Sequence, residues 1–252
     1  MRADFSEIRE PVNEANLDYA PGSPERGELK AELGDLLARV IEVPAIVAGE
    51  ERRTGEAFDV VVPHDHRHVM ANGYLADKGT LGEAIGSCLE AKADYLEFPL
   101  AERTSIFMRA AELLSGPRRA TMNAATMLGP SKTVYEAEID TVELIDMLRF
   151  NAHWMVEISR RQLLSVEGVK NRVDYRPLDG FVLAITPFNF TSIAGNLPTA
   201  PATMGNVVVW KPATSALYPA YIFMRLLMEA GLPDGVINFV PSSGPDISDV
   251  CL

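Results

Sequence analysis

A chain of 252 residues, 47% hydrophobic and 23% charged, has the composition of a folded globular protein with room for one large core or two modest ones. Its formal charge of -12 repels phosphate backbones and its basic residues are scattered, so nucleic acid is not expected as a partner. No apolar run has the length of a membrane span, and two cysteines, Cys88 and Cys251, make neither a disulfide framework nor a zinc spacing and fit a reducing compartment.

The first thirty residues are acidic and proline-bearing. They have neither the apolar centre of a secretory signal nor the Arg-rich, acid-poor bias of a transit peptide, so a cytoplasmic location is expected. Residues 1–60 read as an arm: a helix over 25–40, then "VPAIVAGEERRTGEAFDVVVP", which alternates like paired strands about Gly49 and Gly55. "PHDHRHV" sets His64, His66 and His68 on one face of a strand, but three histidines without supporting geometry do not make a metal site, and none is assigned. From Thr80 the period turns helical, with Leu81, Ala84, Ile85, Cys88 and Leu89 on one stripe, which reads Cys88 as an inert buried thiol. "PLAERTSIFMRAAELLSGP" gives a second helix. A long one follows over 132–160, with Val142, Ile145, Leu148, Ala152 and Met155 facing inward and Glu136, Asp140 and Glu143 on a stripe that reads as a solvated face. "RRQLLSVEGVKNRVDYRPL" then reads as a hairpin at about 160–177.

The last third changes pattern. "FVLAI", "NVVVW" and "GVINFV" are short continuous apolar runs, as in strands buried on both faces. The intervals between them suit crossover helices, the second carrying Leu217, Tyr221, Met224 and Met228 on one face. This predicts a parallel βαβαβ unit, which binds ligands at the carboxyl ends of its strands. Asn189 follows the first strand, and Lys211 follows the second. From residue type alone Asn189 is either the Asx residue of a turn or a donor to an incoming group, and Lys211 is either a solvated strand-end charge or a ligand contact. The G-x-G-x-x-G dinucleotide fingerprint is absent.

The run from Ala184 to Pro245, "AITPFNFTSIAGNLPTAPATMGNVVVWKPATSALYPAYIFMRLLMEAGLPDGVINFVPSSGP", resembles the cofactor-binding half of the aldehyde dehydrogenases. "NAATMLGPSKTVYEAEIDTVELIDMLRFN" narrows the likeness to the 1-pyrroline-5-carboxylate dehydrogenases, and "NLDYAPGSPER", "PHDHRHV" and "YRPLDGF" extend it over nearly the whole chain. The resemblance implies an α/β fold: an incomplete aldehyde dehydrogenase-like fold with N-terminal helices, a Rossmann-like βαβαβ sheet and an oligomerisation hairpin. It divides the chain into a 1–60 arm and a truncated 61–252 NAD-binding domain.

The implied chemistry oxidises L-glutamate γ-semialdehyde to glutamate in proline degradation, through a cysteine thiolate, hydride transfer to NAD and a water activated by a glutamate. The amide of Asn189 is implied as the oxyanion donor. Lys211 is implied to reach the ribose hydroxyls; a lysine also suits a ribose phosphate, so NADP fits the same charge. Ile185, Thr186, Pro187, Phe188, Pro212 and Ala213 are implied to line the cofactor groove, with Gly244 and Pro245 forming the next turn beside it. Phe190 and Glu143 are implied beside the substrate aldehyde; from residue type Phe190 also reads as core and Glu143 as a solvated acid.

Three departures from the family pattern stand out: Ala213 in place of a frequent serine, Pro130 in place of a glutamine, and Pro198, which is expected to shorten the first crossover helix. Relatives continue for about as long again, supplying the catalytic cysteine and the general-base glutamate. The chain is therefore expected to be an inactive amino-terminal half with an open sheet edge after its third strand, with a homo-oligomer or a second half on another chain as partners. The alternatives are a non-catalytic nucleotide-binding or regulatory subunit, and a dehydrogenase of another semialdehyde.

Overall fold

The computed structural model describes residues 10–252; the acidic lead of residues 1–9 lies outside the described residues. Helix α1 (Pro24–Leu37) starts where the Ser23 side chain accepts from Arg26 N at 3.4 Å, with Pro24 in the first helical position, where a missing N–H leaves no bond unmade. Three short strands follow, β1 (Ile41–Val43), β2 (Ala45–Val47) and β3 (Glu50–Arg52). Gly49, at φ 79°, turns β2 back onto β3. Gly55 makes no second hairpin, because the chain changes sheet there. β4 (Ala57–Val62) pairs antiparallel with β5 (Asp65–Tyr74), and β1 lies parallel on the other side of β5.

Helices α2 (Lys78–Glu97), α3 (Leu100–Ser115), α4 (Arg119–Leu128) and α5 (Val134–Arg160) come next. Thr133 and Glu136 form a capping box at the start of α5, satisfying two backbone donors reciprocally. The stripe Val142, Ile145, Leu148, Ala152 and Met155 is buried as expected. The hairpin that follows is reduced to one antiparallel bridge, Val166 to Val169, with Gln162 bonded to the backbone of Val173 at 2.8 and 3.4 Å. A two-stranded ribbon with no third strand to lie on is marginal, which explains why the two β-like runs do not form strands within one chain.

The last third is the expected βαβαβ unit: β6 (Val182–Ile185), α6 (Thr191–Thr203), β7 (Val208–Lys211), α7 (Leu217–Glu229) and β8 (Ile237–Phe239), followed by α8 (Gly244–Cys251). Successive residues of β7 serve opposite layers. Trp210 packs edge-on to Phe223 and Phe239 at 6.3 and 5.2 Å, while Val209, with Val207 just before the strand, joins Leu81, Ala84 and Cys88 of α2. Pro198 does not shorten α6, contrary to expectation: the helix runs through Pro198 and Pro201 to Thr203. The Thr199 and Thr203 hydroxyls donate to carbonyls one turn back at 2.8 Å. Gly195 lets α5 and α7 approach closely, since a Cβ there would meet Leu144 and Phe223 at 2.8 Å. Packing on two sides holds what propensity alone would break.

The sheet edges also differ from expectation. The five strands run β3-β2-β8-β7-β6, so β2, from residues 45–47, lies antiparallel against β8 and covers the edge expected to be open. Asn238 of β8 accepts from Ala48 N at 2.9 Å and donates to Ala84 O at 2.8 Å, tying that hairpin to the sheet and to α2. The two edge strands are β3 and β6, and on β6 Ile185 is 52% exposed. Residues of the expected arm are thus woven into the main sheet.

The segment before α1 is held by a buried carboxylate. Glu138 of α5, 1% exposed, accepts from Leu17 N, Tyr19 Oη and Asn123 Nδ2, each at 2.7 Å, and from Arg119. Arg119 also reaches Glu14 at 2.7 Å, and Arg149 meets the other Glu14 oxygen at 2.6 Å. Burial by itself would push the Glu138 carboxyl up; the bonds from Arg119, Leu17, Tyr19 and Asn123 outweigh it and hold it below its usual value of 4.5. A carboxylate depressed in the folded state contributes stability that is complete above its unfolded pKa and is lost as pH falls through the folded value. Urea unfolding should therefore show stability declining below about pH 4.5, with a shallower acid slope in Glu138→Gln. That variant should also lose about 1 to 3 kcal/mol at neutral pH, because a neutral amide cannot accept from all of Leu17, Tyr19, Asn123 and Arg119, although Arg119 keeps its pair with Glu14.

Candidate active site

Parallel pairing brings three strand ends to one edge. Ile185 stands opposite Lys211, and Trp210 opposite Phe239, so residues 185–190, 211–213 and 240–245 emerge together. Thr186 continues the ladder, its N–H donating to Lys211 O at 3.1 Å, and its buried hydroxyl accepts from Trp210 Nε1 at 3.0 Å. Pro187 then ends the strand, since it has no N–H to give a further bond. Phe188 (64% exposed), Asn189 and Phe190 turn outward before α6 begins.

Nothing in this loop caps α6: Phe190 occupies the cap position and its side chain offers no acceptor. The cap comes from another helix. Asp140 of α5, 1% exposed, accepts from Thr191 N at 2.8 Å and Ser192 N at 2.7 Å, placing a negative charge at the positive end of α6. Lys132 pairs with the same carboxylate at 2.8 Å and sets its ammonium 4.3 Å from the Phe190 ring centre, a cation–π contact. The Thr126 and Thr191 hydroxyls share a bond at 3.0 Å. The expectation of a solvated acidic stripe thus fails at Asp140: a carboxylate facing two free helix N–H groups and an ammonium is better bonded inside than in water.

The loop so held presents Asn189 to a cavity of about 390 Å³ shared with Lys132, Phe188, Ser215, Pro130 and Pro63. The Asn189 side chain makes no hydrogen bond among the described residues, so it does not close an Asx turn. Lys211 is half-buried; burial lowers its ammonium pKa from the usual lysine value, and among the described residues no carboxylate or acceptor meets it. Pro212 is buried beneath it and Ala213 leads into a short 3-10 turn. Gly244 and Pro245 are exposed at the start of α8, whose cap is Ser243, accepting from Asp246 N at 3.1 Å.

Of the expected site residues only Phe188 and Asn189 line the cavity; Lys211 and the other strand-end residues lie outside it. Phe190 is turned beneath Lys132, and Glu143 is exposed one turn beyond Asp140, accepting from Ser192 Oγ at 3.1 Å. The sequence pattern assigns no site role to Lys132 or Ser215 and reads Asp140 only as part of a solvated stripe. A hint for Asp140 was available: no Ser, Thr, Asp or Asn stands at the cap position of α6, so a cap from elsewhere was needed. The histidines form no metal group. His64 shares a 2.8 Å bond with Ser131 Oγ at the cavity rim, and no set of three or more His, Cys, Asp or Glu among the described residues is placed to hold an ion.

The sequence profile of the aldehyde dehydrogenase family matches residues 50–252. The human mitochondrial delta-1-pyrroline-5-carboxylate dehydrogenase is 48% identical over 239 residues, covering 94% of this chain and 42% of the human protein. The Agaricus bisporus delta-1-pyrroline-5-carboxylate dehydrogenase is 45% identical over 91% of this chain and 42% of its own length. Among solved structures, the Mycobacterium tuberculosis delta-pyrroline-5-carboxylate dehydrogenase bound with NAD superposes at a TM-score of 0.96, with 50% identity over 99% of this chain and 47% of that one. A Thermus enzyme solved with NAD, at 24% identity and a TM-score of 0.81 over 96% of this chain and 47% of its own, shares the fold. The chain thus spans less than half the length of the relatives it matches.

The different bonding of two neighbouring polar side chains sets opposite stability outcomes. Asp140→Ala removes a helix cap and leaves Lys132 unpaired, and should cost about 2 kcal/mol or more in urea unfolding. Asn189→Ala removes no bond and should stay within about 0.5 kcal/mol of the parent chain.

Proposed function

The chain belongs to the aldehyde dehydrogenase family, and we propose that it supplies the cofactor-holding part of an enzyme that oxidises L-glutamate γ-semialdehyde, the open form of 1-pyrroline-5-carboxylate, to glutamate with NAD. One observation carries the reading: an exposed, unbonded amide, Asn189, stands at the end of β6 on a loop anchored from outside. An amide kept free yet fixed is what an oxyanion requires, because a donor already aimed costs no reorganisation when charge develops.

The strand-end residues fit a dinucleotide on their own chemistry. Lys211 is a half-buried cation with no partner among the described residues, and it would gain bonds by meeting ribose hydroxyls. Ile185, Thr186, Pro187, Phe188, Pro212 and Ala213 would form the wall beside it, and Gly244 with Pro245 the next turn. NAD bound there supplies the hydride acceptor. Asn189 Nδ2 would donate to the carbonyl oxygen as it becomes an oxyanion, while Phe190 and Glu143, neither of which lines the cavity, would act on the substrate side only from its surroundings. NADP fits the same lysine, and titrating both nucleotides separates them.

The attacking thiolate is the part this chain does not provide. Its cysteines are Cys88 and Cys251. Cys88 lies fully buried in α2, its thiol pushed up to about 12 by burial, and Cys251 at the end of α8 is raised for the same reason. The nucleophile of the proposed reaction would come from a residue other than these two cysteines. The exposed apolar side chains of the flap, Leu163, Leu164, Val166 and Val169, support docking on a second subunit in a homo-oligomer. A second reading, a nucleotide-binding subunit with no chemistry of its own, draws on the same unsuited cysteines. The human relative is a mitochondrial protein by name, so it lends no support to a cytoplasmic location; no helix among the described residues is long and apolar enough to cross a membrane.

Calorimetry on the purified chain should show saturable NAD binding that weakens by at least about tenfold in Lys211→Ala; equal affinity in the two would remove Lys211 from the groove. The 252 residues alone should show no semialdehyde oxidation, and measurable turnover would overturn that division of labour. In an active enzyme containing this chain, Asn189→Ala should lower kcat by about 100- to 1000-fold, whereas the non-catalytic reading expects no change.

A further inference from the structure

A second cleft, of about 360 Å³, opens away from the strand ends, where Leu100 at the start of α3 and Met155 and Ser159 on α5 face Lys170, Arg172 and Val173 of the flap. Its wall carries three cations, Arg103, Lys170 and Arg172, against one acid, Asp174. That is the reverse of a chain whose formal charge is -12. Asp174 reaches Arg172 at 3.4 Å with both side chains exposed, a contact of little worth, so most of the positive charge is unanswered.

Arg103 is the focus. Its Nε is buried without a hydrogen-bond partner. The other described arginines that are not exposed, Arg26, Arg52, Arg119 and Arg149, all bond to a carbonyl or a carboxylate. Arg103 makes no hydrogen bond or ion pair among the described residues. The bare backbone of Gly205 lets it in, since a Cβ there would fall 2.0 Å from Nη1. Burial draws its guanidinium below the ordinary arginine value. A buried Nε with nothing to donate to is costly, and carboxylate or phosphate oxygens match the geometry of the guanidinium that carries it.

We propose that this cleft binds a small organic dianion, with its phosphate or paired-carboxylate head on Arg103, Lys170 and Arg172 and a short apolar stem along Leu100, Met155 and Met204. The net lining charge of three cations and one acid answers two negative charges, and the volume suits a small molecule rather than a polymer. The site shares no residue with the strand-end groove and stands whether or not the dehydrogenase reading does.

Titration calorimetry of the 252-residue chain with phenyl phosphate and with phenylmalonate, at matched ionic strength, tests it. One-site saturable binding of at least one probe is expected, tighter than inorganic phosphate, and the stronger of the two identifies the head group. Arg103→Gln should weaken it by about tenfold or more, the double variant Lys170→Ala with Arg172→Ala by several-fold, and Lys211→Ala not at all. Absence of saturation by both probes overturns the proposal, as does binding that survives the Arg103 change or disappears in Lys211→Ala. Should Arg103→Gln fail to fold, the flap double variant decides alone, because it alters exposed side chains; unchanged affinity there is also fatal.

Discussion

The candidate site depends on one buried carboxylate. Asp140 reaches from α5 to the unpaired N–H groups of Thr191 and Ser192, and in doing so fixes the first turn of a helix that cannot cap itself. Everything just upstream is positioned as a result: Phe190 beneath Lys132, Asn189 at the cavity, and Pro187 at the strand end. The same carboxylate anchors Lys132, so one acid sets both the loop and the cation beside it. A local cap would have satisfied the helix with residues of the loop itself, leaving that loop's polar groups occupied. Supplying the cap from a neighbouring helix leaves Asn189 free of internal bonds.

Three acids on one face of α5 show where reading a sequence succeeds and where it stops. Glu136, Asp140 and Glu143 have the same helical spacing and carry the same charge. One closes a capping box on its own helix, one is buried as a cap for another, and one stays exposed. Only the first is legible locally, because Thr133 stands three residues before it. The burial of Asp140 is decided by a helix start about fifty residues on in the chain, a distance that periodicity does not span. The parallel strands were readable for the opposite reason: a strand buried on both faces announces itself as a continuous apolar run whatever its neighbours. The site's backbone followed directly from those strands and their order, while its supporting side chains, Lys132 and Ser215, did not.

The proline-containing helix and the reduced flap make a related point. Pro198 and Pro201 argue against α6 by propensity, yet α5 and α7 clasp it, and threonine hydroxyls take up carbonyls within it. The flap has the alternation of a strand pair but nothing to pack on, and collapses to a single bridge. Tertiary context overrides local preference in both directions, adding structure where packing exists and withholding it where packing is absent.

Because β2 joins the sheet beside β8, the strand at residues 45–47 cannot find its second partner until residues 237–239 have been synthesised. β3 can cover one edge of β2 early, but the other edge waits while the intervening chain leaves the ribosome, and loop closure across that interval is slow. The last register of the sheet is therefore completed late, and a nascent chain is most exposed to wrong strand partners during that wait.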